Sequence, residues 1–254
     1  MVMDLVMMMA FPLAATVLAW ILNLNFVAAT LLYFASIGIY LSWRRPKLIE
    51  KTVKFVALTA VPFWVIFDYL AYADWAWFVP NSLFRFLRGS LPIEDLIWSV
   101  VWMYAVIMWW EYFVDKGKDR PKFSKNIKYL MFILTALSII FGLLYFVAPN
   151  WLYFPYFYLK FGLVFVIFPM IVALWHSRKL IRKLVPLGIY FFMVSALSEW
   201  VALTHNHWFF GGAHYILKLN VWGTVLPLDE ILFWWVLAAP SLICWYEMFA
   251  DDWK

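Results

Sequence analysis

The sequence predicts an all-α fold, a polytopic membrane helical bundle of about eight transmembrane helices arranged as two parallel-oriented four-helix repeats. Three observations predict it. The 254-residue chain is 67% hydrophobic and only 14% charged, too little polar surface for an ordinary soluble domain. Apolar stretches recur along its whole length, each near the roughly 20 residues a helix needs to cross about 30 Å of hydrocarbon. An unusual acid motif also occurs twice, at the heads of the fourth and eighth stretches.

The stretches run from about residue 5 to 22, 26 to 43, 53 to 72, 91 to 113, 129 to 148, 156 to 175, 185 to 203 and 225 to 249. The first lacks a basic leader and a small-residue cleavage site, so it reads as a retained helix rather than a secretory signal. Basic residues set the orientation, because cytoplasmic loops carry an excess of Lys and Arg. They cluster after the second helix from Arg44 to Lys54, after the fourth from Lys116 to Lys128, and after the sixth from Arg178 to Lys183. All but Arg85, Arg88, Lys160 and Lys218 of the 20 basic residues fall on that side. A cell-membrane protein with both termini cytoplasmic is expected. The net charge of +5 then reflects topology and anionic headgroups rather than nucleic acid. Cys244 is the single cysteine and lies within a predicted helix, so disulfides play no part.

The acid motif also reveals the repeat. Leu91-Pro92-Ile93-Glu94-Asp95 and Leu226-Pro227-Leu228-Asp229-Glu230 each place two adjacent carboxylates just after a proline. Walking outward, Asp68 lies nine residues before Trp77 and Glu199 nine before Trp208. Residues 1–115 then form the first repeat, 116–128 a basic cytoplasmic linker and 129–254 the second repeat. With four helices each, the copies enter from the same side, related by an axis along the membrane normal. Glu94 and Trp98, like Asp229 and Phe233, are four apart and share a helix face. Asp95 and Glu230 point about 100° away, toward other neighbours. Asp68 and Glu199, near the same ends of the third and seventh helices, are placed to meet the motif acids of their own repeats. Glu111 and Glu247 fall at the cytoplasmic ends and are poor candidates for the same site.

Proline followed by acids suits any helix start, since the ring fits the first turn and carboxylates complement the dipole. Its recurrence, with upstream acids at equal spacing, favours a functional site, as does the cost of ionisable groups within a membrane. Aromatics make up 22% of the chain, with 18 Trp, and most suit an interfacial belt and helix packing. Those flanking the acids stand apart: Trp75, Trp77, Trp98 and Trp102 in the first repeat, and Trp208, Phe209, Phe210, Trp222, Phe233 and Trp234 in the second. Aromatic faces beside an acid suit a carbocation, worth ~2 kcal/mol or more where water is excluded. His205, His207 and His214 share the last extracytoplasmic loop, but His-x-His spacing is weak evidence for a metal and the first repeat has Asp74 and Ala76 at the aligned positions. No metal or cofactor is expected, and no phosphate cradle, dinucleotide fingerprint or nucleophile elbow is found.

The pattern Pro-x-Glu-(Glu/Asp)-x-x-Phe, with an upstream acid and an aromatic loop, resembles the membrane-integral lycopene cyclases. These are the heterodimeric actinobacterial type, the fused archaeal type and the cyclase portion of the fungal bifunctional protein, and this chain is similar to the fused form. It departs from the pattern at Asp229, where Glu is usual, and at Trp98, where Phe is usual. The resemblance covers about Asp68 to Glu111 and Glu199 to Glu247. It implies that Glu94, Asp95, Asp229 and Glu230 are the acid/base set of a lycopene β-cyclase, to which the spacing adds Asp68 and Glu199. The reaction implied is non-redox: an acid protonates the terminal double bond of a linear polyene, a six-membered ring closes on the cation, and a carboxylate removes a ring proton. Expected partners are that lipophilic substrate, the bilayer, and either a second copy of the chain or other carotenoid enzymes. Competing readings are a proton-coupled transporter, a carotenoid hydratase and a non-catalytic polyene binder. Carriers place charge near the midplane in broken helices, whereas these acids gather toward one interface and the chain has only 9 Gly.

Overall fold

The computed structural model of the chain describes residues 2–116, 122–221 and 223–251. Among the described residues, seven helices are long and apolar enough to cross a membrane, and an eighth is added if a bent pair counts as one span. They are α1 (Val2–Leu22), α2 (Phe26–Arg44), α3 (Pro46–Ala73), α4 (Ile93–Asp115), α5 (Ile127–Val147), α6 (Phe157–His176), α7 (Lys179–Thr204) and α8 (Glu230–Val236 with Ala238–Phe249). Much of the outer surface is apolar. Phe132, Phe146 and Trp175 are exposed, which suits lipid and would be unusual in water.

Local chemistry accounts for the boundaries. The Asn25 side chain accepts from the Ala28 amide at 2.9 Å and caps α2. Pro46 opens α3 at a position where its missing N–H is not needed. Pro62 withdraws one ladder bond from that helix, and the turn that follows, Trp64–Asp68, is wound as a π-helix. Pro240 likewise leaves Val236 without its i+4 donor, and α8 bends by 50° between Val236 and Ala238.

Two short antiparallel hairpins refine the all-α expectation. β1 (Arg85–Phe86) pairs with β2 (Leu91–Pro92), and β3 (Lys218–Val221) with β4 (Thr224–Pro227). The predicted helix starts at 91 and 225 therefore fall on strands. Each proline closes its strand, where a missing donor does no harm, and helix begins just beyond it. The eighth span is correspondingly broken rather than continuous: Glu230–Val236 is π-wound before the bend.

α4 is the central helix, packed on α2, α3 and α8. Hydrogen bonds are exchanged at its two ends. At one, Phe78 and Phe209 donate backbone N–H groups to each other's carbonyls at 2.9 and 3.0 Å. At the other, Trp110 Nε1 donates to Glu247 Oε1 at 2.6 Å while the Tyr246 hydroxyl donates to Glu111. Buried Lys51 joins that cluster, 3.5 Å from Glu111 and 3.0 Å from Asp251. Glu111 and Glu247 are thus occupied in holding α4 to α8.

Candidate active-site cavity

Within each acid pair the two carboxylates part company. Glu94 turns back toward the preceding loop, accepting from Ser82 Oγ at 2.6 Å and from the Leu83 amide. Asp229 does the same on its side, accepting from the Ile216 amide at 2.8 Å. Both are buried, and both are placed as anchors of the chain segments that lead into their helices. Their neighbours Asp95 and Glu230, about 100° further round, face the interior instead. The identity of the acid does not decide its place, since the inward group is Asp in one copy and Glu in the other.

Asp95 and Glu230 share one cavity with Asp68 and Glu199, an empty volume of about 690 Å³. Asp68 is brought in by the π-turn of α3, where Asp95 acts on it electrostatically, as Glu199 on α7 does on Glu230. All four are buried. Their hydrogen bonding differs. Trp208 Nε1 donates to Glu199 Oε1 at 2.7 Å, and Trp77 Nε1 reaches Asp95 Oδ2 at a longer 3.3 Å. Asp68 Oδ2 has no partner among the described residues, and the Tyr158 hydroxyl interacts with Glu230.

The walls are aromatic. Trp98 and Trp102 stack with centroids 5.4 Å apart and planes within 9°, and Trp234 stands edge-on to both at 5.7 and 6.4 Å. Trp77 and Trp208 complete this face. Of the other aromatics singled out from sequence, Phe210 also lines the cavity. Trp75 lies exposed and stacks on Phe78, Phe209 is spent on the Phe78 bridge, and Phe233 is buried against Gly162. Trp222 lies outside the described residues.

Sequence reasoning missed Tyr158, Trp235, Phe26, Phe34, Ser195 and Ser198, all of which line the cavity. The serines carried a signal: Ser195, Ser198 and Glu199 are polar at i, i+3 and i+4 within an apolar helix, one face of it. Tyr158 and the others sit in aromatic-rich runs and carried none. The loop histidines face three different ways. His207 Nε2 contacts the Leu24 carbonyl at 2.8 Å, His214 Nδ1 contacts Asp74 Oδ1 at 2.6 Å, and His205 stacks on Trp20. Burial holds the His207 imidazole below its usual range.

Chemically, the arrangement offers paired carboxyls inside a water-poor, electron-rich enclosure. Such a site can move a proton to and from an apolar molecule and shelter a cation between the two events. Set against family models, curated proteins and solved structures, the chain matches none of them.

Proposed function

We propose that this chain is a carotenoid cyclase of the lycopene β-cyclase type, an intramolecular, non-redox enzyme of the cell membrane with both termini cytoplasmic. The observation that carries the reading is the convergence of Asp68, Asp95, Glu199 and Glu230 on a single cavity walled by tryptophans. A carrier would need such charge on a path between two aqueous faces, whereas these carboxyls gather in one cavity lined largely by aromatic rings.

The reaction needs one carboxyl in its acid form and another as carboxylate. Two facing carboxyls shielded from water share one proton more readily than they both ionise. An indole N–H favours the partner that carries charge, and the short Trp208 bond supports Glu199 as the base and Glu230 as the acid. By the same argument the longer Trp77 bond marks Asp95 as a base opposite Asp68. The acid's O–H bond breaks as its proton adds to the terminal C=C of the polyene, leaving a carboxylate and a tertiary cation. The neighbouring double bond attacks it and closes a six-membered ring. The carboxylate then removes a ring proton, restoring an alkene, and the proton returns to the first carboxyl, so nothing is oxidised or consumed. The stacked faces of Trp98 and Trp102 and the edge-on Trp234 surround the charge in transit.

Two parallel four-helix repeats underlie this site in our reading. The reciprocal bonds support it, because Phe78 and Phe209 occupy equivalent positions, as do Glu111 and Glu247, and each bonds across to the other copy or its neighbour. Ser195 and Ser198 favour one further reading. Their hydroxyls line the same cavity, and a water held there would capture the cation as an alcohol, making the chain a hydratase.

Expression in a lycopene-accumulating host, with chromatography of the pigments, tests both readings. Ring-bearing products are expected from the wild type, and none from Glu230→Gln. A hydroxylated acyclic product would favour the hydratase. Unchanged lycopene beside abundant, membrane-inserted protein would refute both.

A further inference from the structure

We infer that a second, apolar chamber beside the acid cavity holds the hydrocarbon tail of the same linear polyene, and that the molecule reaches it sideways from the bilayer between α3 and α5. This rests on the polyene substrate of the proposed reaction, though not on ring formation itself. The chamber has an empty volume of about 790 Å³ and shares Trp102 and Trp234 with the acid cavity. Those two rings are the common wall. A chain whose end lies among the carboxyls therefore has apolar space directly behind it.

Length and polarity fit that occupant. Along α3 the lining runs from Phe55 to Phe67, twelve residues or about 18 Å at 1.5 Å per residue. No charged residue lines it among the described residues. Its two hydroxyls are turned away, Thr59 donating to the Phe55 carbonyl at 2.9 Å and Ser241 to the Phe165 carbonyl at 3.1 Å. An elongated, largely apolar space whose hydroxyls are already satisfied by backbone carbonyls suits an extended hydrocarbon better than a polar ligand.

A route in is visible from the outer surface. A groove of about 630 Å³ lies between α3 and α5, bordered by Leu58 and Pro62 on one side and Met131 and Ile139 on the other. Leu134 belongs both to this groove and to the chamber, so one half-buried side chain stands between lipid and interior. Pro62 lies at the same place and removes a ladder bond from α3 there, where the helix must give for a chain to pass. The order is then groove, Leu134, chamber, Trp102 and Trp234, acids.

The test measures binding, so that it stands apart from turnover. Full-length protein carrying Glu230→Gln, which keeps the polyene unconsumed, is reconstituted in phosphatidylcholine vesicles with lycopene, repurified and assayed for bound lycopene by absorbance. Ala238→Phe and Leu242→Trp each fill the chamber from α8 and are expected to lower retained lycopene by about tenfold or more. Leu134→Ala is expected to speed loading from the vesicles and Leu134→Trp to slow it, in monodisperse protein with an unchanged melting profile. Retention that is unaffected by both filling variants would overturn the inference, as would recovery of phospholipid in place of lycopene. If chamber-dependent retention holds while the acid-intact chain forms no ring, the cyclase reading falls and the chamber stands.

Discussion

Trp208→Phe tests the assignment of the base most directly. The change keeps an aromatic ring in the cavity wall but deletes the indole N–H that reaches Glu199 Oε1 at 2.7 Å. Glu199 is buried, and a hydrogen bond to a charged group is worth about 1.5–3 kcal/mol. If that carboxylate must be charged when it takes the ring proton, the loss appears in the barrier. At 1.36 kcal/mol per decade, the rate falls by roughly 10- to 150-fold. Two companions separate this from a general effect on the wall. Trp77→Phe removes a bond of 3.3 Å, outside the usual range for N–H···O, and should cost less than Trp208→Phe. Trp102→Phe alters a ring of the same cavity whose N–H bonds none of the four carboxyls; because Phe keeps an aromatic face, it gives up only part of the ~2 kcal/mol that cation–π attraction is worth where water is excluded, on the order of 0.5–1 kcal/mol and two- to fivefold in rate. The assay is the initial rate of ring formation in isolated membranes, by chromatography, per amount of inserted protein. A Trp208→Phe rate within about threefold of wild type, or a Trp102→Phe loss as large, would refute the reasoning.

The remaining predictions concern the scaffold. Glu94→Gln weakens the two hydrogen bonds that hold the loop at Ser82 and Leu83 and should lower stability by about 2 kcal/mol, read as an earlier melting transition in detergent, whereas Asp95→Asn should leave melting unchanged and lower ring formation. Lys51→Met strands Glu111 and Asp251 without their buried cation and should destabilise by about 3–5 kcal/mol, a loss that a second change, Glu111→Gln, should partly reverse in the same melting assay. Gly162→Ala places a methyl group into the Phe233 ring, and overpacking of this kind costs about 1–3 kcal/mol; because Phe233 precedes Trp234, product formation should fall along with the melting temperature.

Much of the site could be read from residue order. The doubled proline–acid motif, with Asp68 and Glu199 at matched spacing from Trp77 and Trp208, picked out six carboxyls of which four share the cavity, and Trp77, Trp98, Trp102 and Trp208 line it with them. It did not separate Glu94 from Asp95 or Asp229 from Glu230. Adjacent helical residues diverge by about 100° whatever their type, and which direction is inward depends on where α3, α6 and α7 stand. The hairpins were also hidden, since Leu91 and Val225 continue the hydrophobic runs of their helices and only cross-strand pairing distinguishes them. Tyr158 and Trp235 were invisible for a related reason: in a chain this rich in aromatics, a ring on the cavity wall and a ring facing lipid look alike.

By itself, then, the sequence determined that the chain is a bundle of apolar helices and that two matched acid pairs follow prolines at the heads of two of them, because hydropathy, proline and charge act through the residues that carry them. Tertiary structure alone decided which acid of each pair fastens a loop and which enters the cavity, that an apolar chamber continues behind Trp102 and Trp234, and that Glu111 and Glu247 bind α4 to α8. Those outcomes depend on the rotation of each helix against its neighbours, and that rotation is set by packing among side chains far apart in the chain.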